Sequence, residues 1–85
     1  MTHYVYIIRS QTSGRRYIGY TSQIENRLDQ HNEGLTKSTR GRGPWKMLYF
    51  EQFDSKEKAL ARETEIKKMK GGLQLKALLK SAGIV

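Results

Sequence analysis

The hydrophobic pattern divides the chain into three strand-like runs and three helix-like stretches. Tyr4 to Arg9 is dense in β-branched and aromatic residues and reads as a strand. Its apolar positions are consecutive rather than alternating, which predicts a central strand covered on both faces. Ser10-Gln11-Thr12-Ser13-Gly14 carries turn chemistry, and Arg16 to Tyr20 supplies a second strand, so a hairpin is expected. Gly19 lies inside that strand, where a glycine marks a bulge or the close approach of another group.

Ser22-Gln23-Ile24-Glu25 has the spacing of a capping box and predicts a helix to about Asn32 or Glu33, ended by Gly34. Ile24, Arg27, Leu28 and His31 fall at the i, i+3, i+4, i+7 positions of one helical face. From Leu35 to Lys46 the pattern stops. Lys37, Arg40, Arg42 and Lys46 are interleaved with Ser, Thr and Gly and no acidic residue, which reads as an exposed, mobile basic loop. A third strand is expected over about Lys46 to Phe53, packing through Met47, Leu48, Tyr49, Phe50 and Phe53. Asp54-Ser55-Lys56-Glu57 predicts another helix start, with Asp54 as N-cap and Glu57 bonding back. That helix runs to about Met69 and is stopped by Gly71-Gly72; Ala59, Leu60, Ile66 and Met69 mark its inner side, which Glu63 shares. A last helix, about Leu73 to Ser81, packs through Leu75, Leu78 and Leu79. No repeat, linker or second domain is visible, and one domain over 1–85 is expected.

Composition narrows the class. The chain has 85 residues, 36% hydrophobic and 28% charged, enough for one small core. There is no cysteine, so neither a disulfide nor a thiolate metal site contributes. The apolar runs are too short to cross a bilayer, and the start of the chain has no signal-peptide pattern; a soluble, cytoplasmic protein is the expectation. Net charge is +8, with a pI near 10.0. Such a field captures polyanions, and nucleic acid is the leading partner, ahead of an acidic membrane surface. Charge alone leaves a ribosome-associated or merely basic protein open.

Five residues carry candidate chemistry. A carboxylate on an apolar stripe, as at Glu63, is costly unless paired or metal-bound; a salt bridge to a nearby Lys or Arg and a hard-cation ligand are both open. Arg27 and His31 lie one helical turn apart and point the same way. A guanidinium grips phosphate in a bidentate manner, and an imidazole accepts or relays a proton. For either residue alone, a solvated helix edge is the simpler reading. Tyr6 and Tyr17 sit on adjacent strands, where core packing is the usual fate. A phenol with a pKa of about 10 is a poor base without a cation, metal or histidine beside it.

On these residues the chain resembles the GIY-YIG nuclease superfamily, in its small single-domain, UvrC-amino-terminal-like (UPF0213-type) branch, over nearly its whole length. Tyr4-Val5-Tyr6 stands at the first motif, with Tyr4 in place of the usual glycine, and Tyr17-Ile18-Gly19 matches the second letter for letter. Arg27 falls at the helix arginine, His31 at the companion histidine or tyrosine, and Glu63 at the metal-binding glutamate. Relatives often carry an asparagine after the metal-binding helix; here at most Gln74 stands there. The resemblance implies an α/β fold of the α+β type, with a three-stranded antiparallel sheet flanked by helices, and one divalent metal, Mg²⁺ with Mn²⁺ as a substitute. It implies that Tyr6 is the general base and that Tyr17 and His31 orient it or receive its proton. Arg27 would stabilise developing charge, Glu63 would hold the metal, and Gly19 would keep the site's floor open.

The leading expectation is therefore a Mg²⁺-dependent DNA endonuclease or nicking module of weak sequence specificity, for DNA processing or repair. The basic loop residues Lys37, Arg40, Arg42 and Lys46 would contact the nucleic-acid backbone. RNA remains open as the substrate, and either a monomer or a weak dimer is compatible. The alternative is a non-catalytic nucleic-acid-binding module on the same fold. A third reading is an accessory protein in which Glu63 is salt-bridged and binds no metal.

Overall fold

The computed structural model describes residues 2–37, 39–69 and 72–83. Strands β1 (His3–Ser10), β2 (Arg16–Thr21) and β3 (Trp45–Phe53) form one antiparallel sheet in the order β2-β1-β3. The helices are α1 (Ile24–Asn32), α2 (Lys56–Lys68) and α3 (Leu73–Ser81). The architecture is α+β, with the consecutive apolar run at the sheet's centre as expected.

Strand alternation sorts β1 onto two cores. Val5 and Ile7 join Ile18, Ala59, Ile66, Leu75 and Leu79 beneath α2 and α3. Tyr6 and Ile8 join Trp45 on the opposite face, packed by Tyr17, Ile24, Leu28 and Met47. Both faces are covered, and Val5 through Ile8 are all buried. Opposite β1, the register slips between Ile7 and Ile8, which pair with Tyr49 and Met47. Leu48 is the extra residue, and with Tyr49 it packs beneath α2 while Met47 packs toward α1.

Both predicted helix caps are displaced by one residue. Ser22 does not cap α1; Gln23 holds the N-cap without a side-chain bond, and Thr21 Oγ1 accepts its amide at 2.9 Å. At α2 the cap is Ser55, whose Oγ accepts Lys58 N at 3.2 Å, while Asp54 pairs with the Lys58 ammonium. Gly34, at φ +77°, ends the first helical segment as expected, because a left-handed turn suits a residue without Cβ. At the end of α2, Gly71 of the predicted stop lies outside the described residues. Two expected packing residues face solvent instead: Leu60 is 38% exposed and Phe50 47%.

The segment between α1 and β3 departs furthest from a free loop. Thr39 is buried, and its carbonyl accepts Trp45 Nε1 at 3.2 Å. Ser10 Oγ donates to the Arg42 carbonyl at 2.7 Å, and Gln11 N donates to the Pro44 carbonyl at 2.8 Å. Arg40 Nε donates to the Gly34 carbonyl at 2.9 Å. The loop is tied to the β1–β2 turn and to the end of α1. Lys37, Arg40, Arg42 and Lys46 remain exposed on it and on the start of β3.

Candidate active site

Register brings the two tyrosine motifs together. Tyr6 on β1 lies directly opposite Gly19 on β2, and both face α1. A Cβ built on Gly19 would stand 2.5 Å from Tyr6 Cζ and 3.0 Å from Cε1, and would overlap the hydroxyl. The glycine is the space into which the Tyr6 phenol folds. The close approach expected at Gly19 is thus to a side chain of the same site.

Around the Tyr6 oxygen stand two residues from the polar stripe of α1. His31 Nε2 lies 2.7 Å away, and Arg27 Nε donates to the oxygen at 3.1 Å. Arg27 Nη1 also donates to Gln30 Oε1 at 3.0 Å, which fixes the guanidinium against its own helix. Tyr17 closes the group through its ring, 6.4 Å from the Tyr6 ring, 5.1 Å from His31 and 6.5 Å from Trp45. Behind His31, Nδ1 lies 2.7 Å from Thr39 Oγ1. Tyr6, His31 and Thr39 are all buried. Neither Gln30 nor Thr39 was singled out from the sequence. A glutamine i+3 from Arg27 was a readable signal, whereas a threonine in a polar loop was not.

The electrostatics favour neutral partners at rest. Burial pushes the Tyr6 phenol above its ordinary value; Arg27's bond and charge pull it partly back, while Tyr17 and Glu63 add to the rise. Burial, helped by the Arg27 charge, lowers His31 from 6.5 to about 4, so at neutral pH it is an uncharged imidazole.

Glu63 is the fifth residue, and its charge acts on the Tyr6 phenol. Its side chain is only 17% exposed and pairs with Lys67 Nζ at 3.3 Å, one turn along α2. The salt bridge weighed from the sequence is therefore present. Lys67 is 55% exposed, and such i,i+4 pairs contribute only about 0.3–0.5 kcal/mol, too little to withhold the carboxylate from a divalent ion. Among the described residues no three His, Cys, Asp or Glu side chains cluster to form an all-protein cage. A single carboxylate, with water and phosphate oxygens completing the shell, is a donor set that Mg²⁺ accepts. The half-buried carboxylate of Glu51 is committed elsewhere: Arg62 grips it through Nε at 2.8 Å and Nη2 at 3.0 Å, and Tyr49 donates to it.

The model of the GIY-YIG catalytic domain matches residues 2–74. The chain belongs to that family. Family members are nuclease domains, which points to nucleic acid as the substrate class. A UPF0213 protein of Clostridium perfringens is 46% identical over 68 residues, covering 79% of this chain and 72% of its own length. Another, from Staphylococcus saprophyticus, is 42% identical over 77 residues, covering 89% and 93%. The solution NMR structure of a UPF0213 protein from Bacillus halodurans superposes with a TM-score of 0.57 at 38% identity, over 96% of this chain and 85% of that one. The family, the UPF0213 branch and the three-stranded α+β architecture agree with the expectation from sequence. No described helix is long and apolar enough to cross a membrane.

Proposed function

We propose that the chain is a single-domain, divalent-metal-dependent DNA endonuclease or nicking module of weak sequence specificity, acting in DNA processing or repair. The observation that carries this reading is the convergence of Arg27 and His31 on one phenol oxygen, held over Gly19, within reach of the Glu63 charge. A packing tyrosine would need one partner for its hydroxyl. This one has a cationic donor and a buried imidazole together.

In this reading Tyr6 accepts a proton from water while passing its own to His31 Nε2, 2.7 Å away. The Tyr6 side chain is fully buried at rest, and Arg27 occupies one of its lone pairs. When a phosphate arrives, Arg27 turns to it, stabilising the charge that builds there and freeing that lone pair for water. Glu63 would hold Mg²⁺, or Mn²⁺ in its place, which supplies Lewis-acid neutralisation of the leaving oxygen. Tyr17 holds the imidazole plane by ring contact. Lys37, Arg40, Arg42 and Lys46 would grip backbone phosphates. An open cleft of about 370 Å³ lined by Arg15 and Arg42 continues that basic surface.

Plasmid nicking titrated with Mg²⁺ and Mn²⁺ tests the reading. Tyr6→Phe, Arg27→Ala and Glu63→Ala are expected to lose cleavage by about 10²-fold or more while still binding DNA. Undiminished nicking by purified Glu63→Ala sinks it. The exposed basic residues Lys37, Arg40, Arg42 and Lys46 equally support the second reading, a binding module without catalysis. That reading predicts salt-sensitive binding and no metal-dependent nicking in the wild type.

A further inference from the structure

The hydrogen bonds behind Tyr6 have a direction, and it can be worked out from one end. Arg27 Nε can only donate, so the Tyr6 oxygen accepts there at 3.1 Å. The Tyr6 O–H proton then needs an acceptor, because the group is buried and a buried polar hydrogen without a partner costs about 1–3 kcal/mol. The other partner is His31 Nε2 at 2.7 Å, which must therefore carry no proton. A neutral imidazole has one N–H, and it is then on Nδ1, facing Thr39 Oγ1 at 2.7 Å. The Thr39 hydroxyl, having accepted, turns its own proton to the Thr36 carbonyl at 3.4 Å, the longest link of the four. Reversing the ring reverses the outcome. With the proton on Nε2, the Tyr6 oxygen would receive two donors and its own hydrogen would face neither.

We infer that Thr39 is a positioning residue: its hydroxyl accepts the His31 Nδ1–H and so keeps Nε2 free to take the Tyr6 proton. Thr39 touches neither substrate nor the reacting oxygen. It acts through His31, and its burial and the Trp45 Nε1 bond to its carbonyl hold it in place. The claim rests on the proposed nuclease reading only where turnover is concerned; the tautomer itself follows from the geometry.

Long-range ¹H–¹⁵N correlation of the imidazole rings in the full chain reads the tautomer directly, with His3→Gln assigning the signals. The wild type and Thr39→Ser are expected to show His31 protonated on Nδ1. Thr39→Val keeps the shape and removes the acceptor, so the Nε2-protonated form should become populated; Thr39→Ala serves if the valine variant does not fold. In plasmid nicking, kcat should fall at least about tenfold in Thr39→Val with KM little changed, part of the roughly 10²–10⁴-fold that proton transfer contributes, and serine should restore it. A wild-type His31 protonated on Nε2, or a Thr39→Val protein still protonated only on Nδ1, overturns the inference. A purely structural role would lower the melting temperature without moving the tautomer. If the wild type nicks nothing, the nuclease reading falls while the ring signals still decide the role of Thr39.

Discussion

Gly19 has no side chain because the Tyr6 phenol occupies the space that one would need. Alanine there would meet Cζ at 2.5 Å, and in a register-locked sheet the ring, not the strand, must move. Overpacking of this kind costs about 1–3 kcal/mol. Gly19→Ala is therefore expected to remain folded with a lowered melting temperature, to lose the 2.7 Å Tyr6–His31 bond, and to lose most cleavage. Full activity in a folded Gly19→Ala protein would mean that the phenol's placement is irrelevant. His31 carries a second residue-level consequence. Its folded pKa is depressed to about 4, whereas in the unfolded chain it is about 6.5. Between those values the unfolded chain binds the proton and the fold does not, so stability falls as pH drops through that window and levels off above it. Urea unfolding across this range should show that slope in the wild type, and His31→Gln should flatten it. Equal slopes in the two proteins would show that His31 is not buried as a neutral ring.

At the scale of elements, α1 carries the site yet, like α3, starts without a side-chain cap. Gln23 occupies the N-cap with no side-chain bond to the free amides of the first turn. Gln23→Asp supplies an acceptor and is expected to raise stability by about 0.5–2 kcal/mol, read as an increased denaturant midpoint at unchanged slope. No gain would indicate that the Thr21 bond to Gln23 N already holds the entry angle. The same caps show what was legible and what was not. Strands and helices could be read because β1 carries an unbroken aromatic and aliphatic run from Tyr4 to Ile8 and α1 repeats at helical spacing. Both cap predictions missed by one residue: at α2 Asp54 and Ser55 stand side by side and local chemistry cannot choose between neighbours, while at α1 the N-cap falls on Gln23, which makes no capping bond for the pattern to reveal. Tyr6, Tyr17, Arg27, His31 and Gly19 were readable because strand pairing and one helical face suffice to bring them together. Thr39 was not, since its burial depends on how a Gly-rich loop folds back over His31. No periodicity encodes that path.

Across the whole molecule, the +8 charge is unevenly used. Arg62 is spent on Glu51 and Glu65, Lys58 on Asp54 and Lys67 on Glu63. Lys37, Arg40, Arg42 and Lys46 remain exposed, and Arg40 spends only its Nε on the Gly34 carbonyl. The basic loop reaches His31 through Thr39 and the β1–β2 turn through Arg42, so a backbone held there would run beside the Tyr6 site. This geometry separates capture from chemistry. Each phosphate neutralised on duplex DNA contributes about −0.9 to the slope of log K against log salt, so four contacts account for about 3–4 units of that slope. Replacing Lys37, Arg40, Arg42 and Lys46 together by glutamine should reduce the slope by about that amount and raise KM, while kcat at saturating DNA stays close to the wild type. A slope unchanged by the four substitutions would place the phosphate track elsewhere on the molecule. A kcat that fell with KM unaltered would instead mean that the loop serves the relay and not the grip.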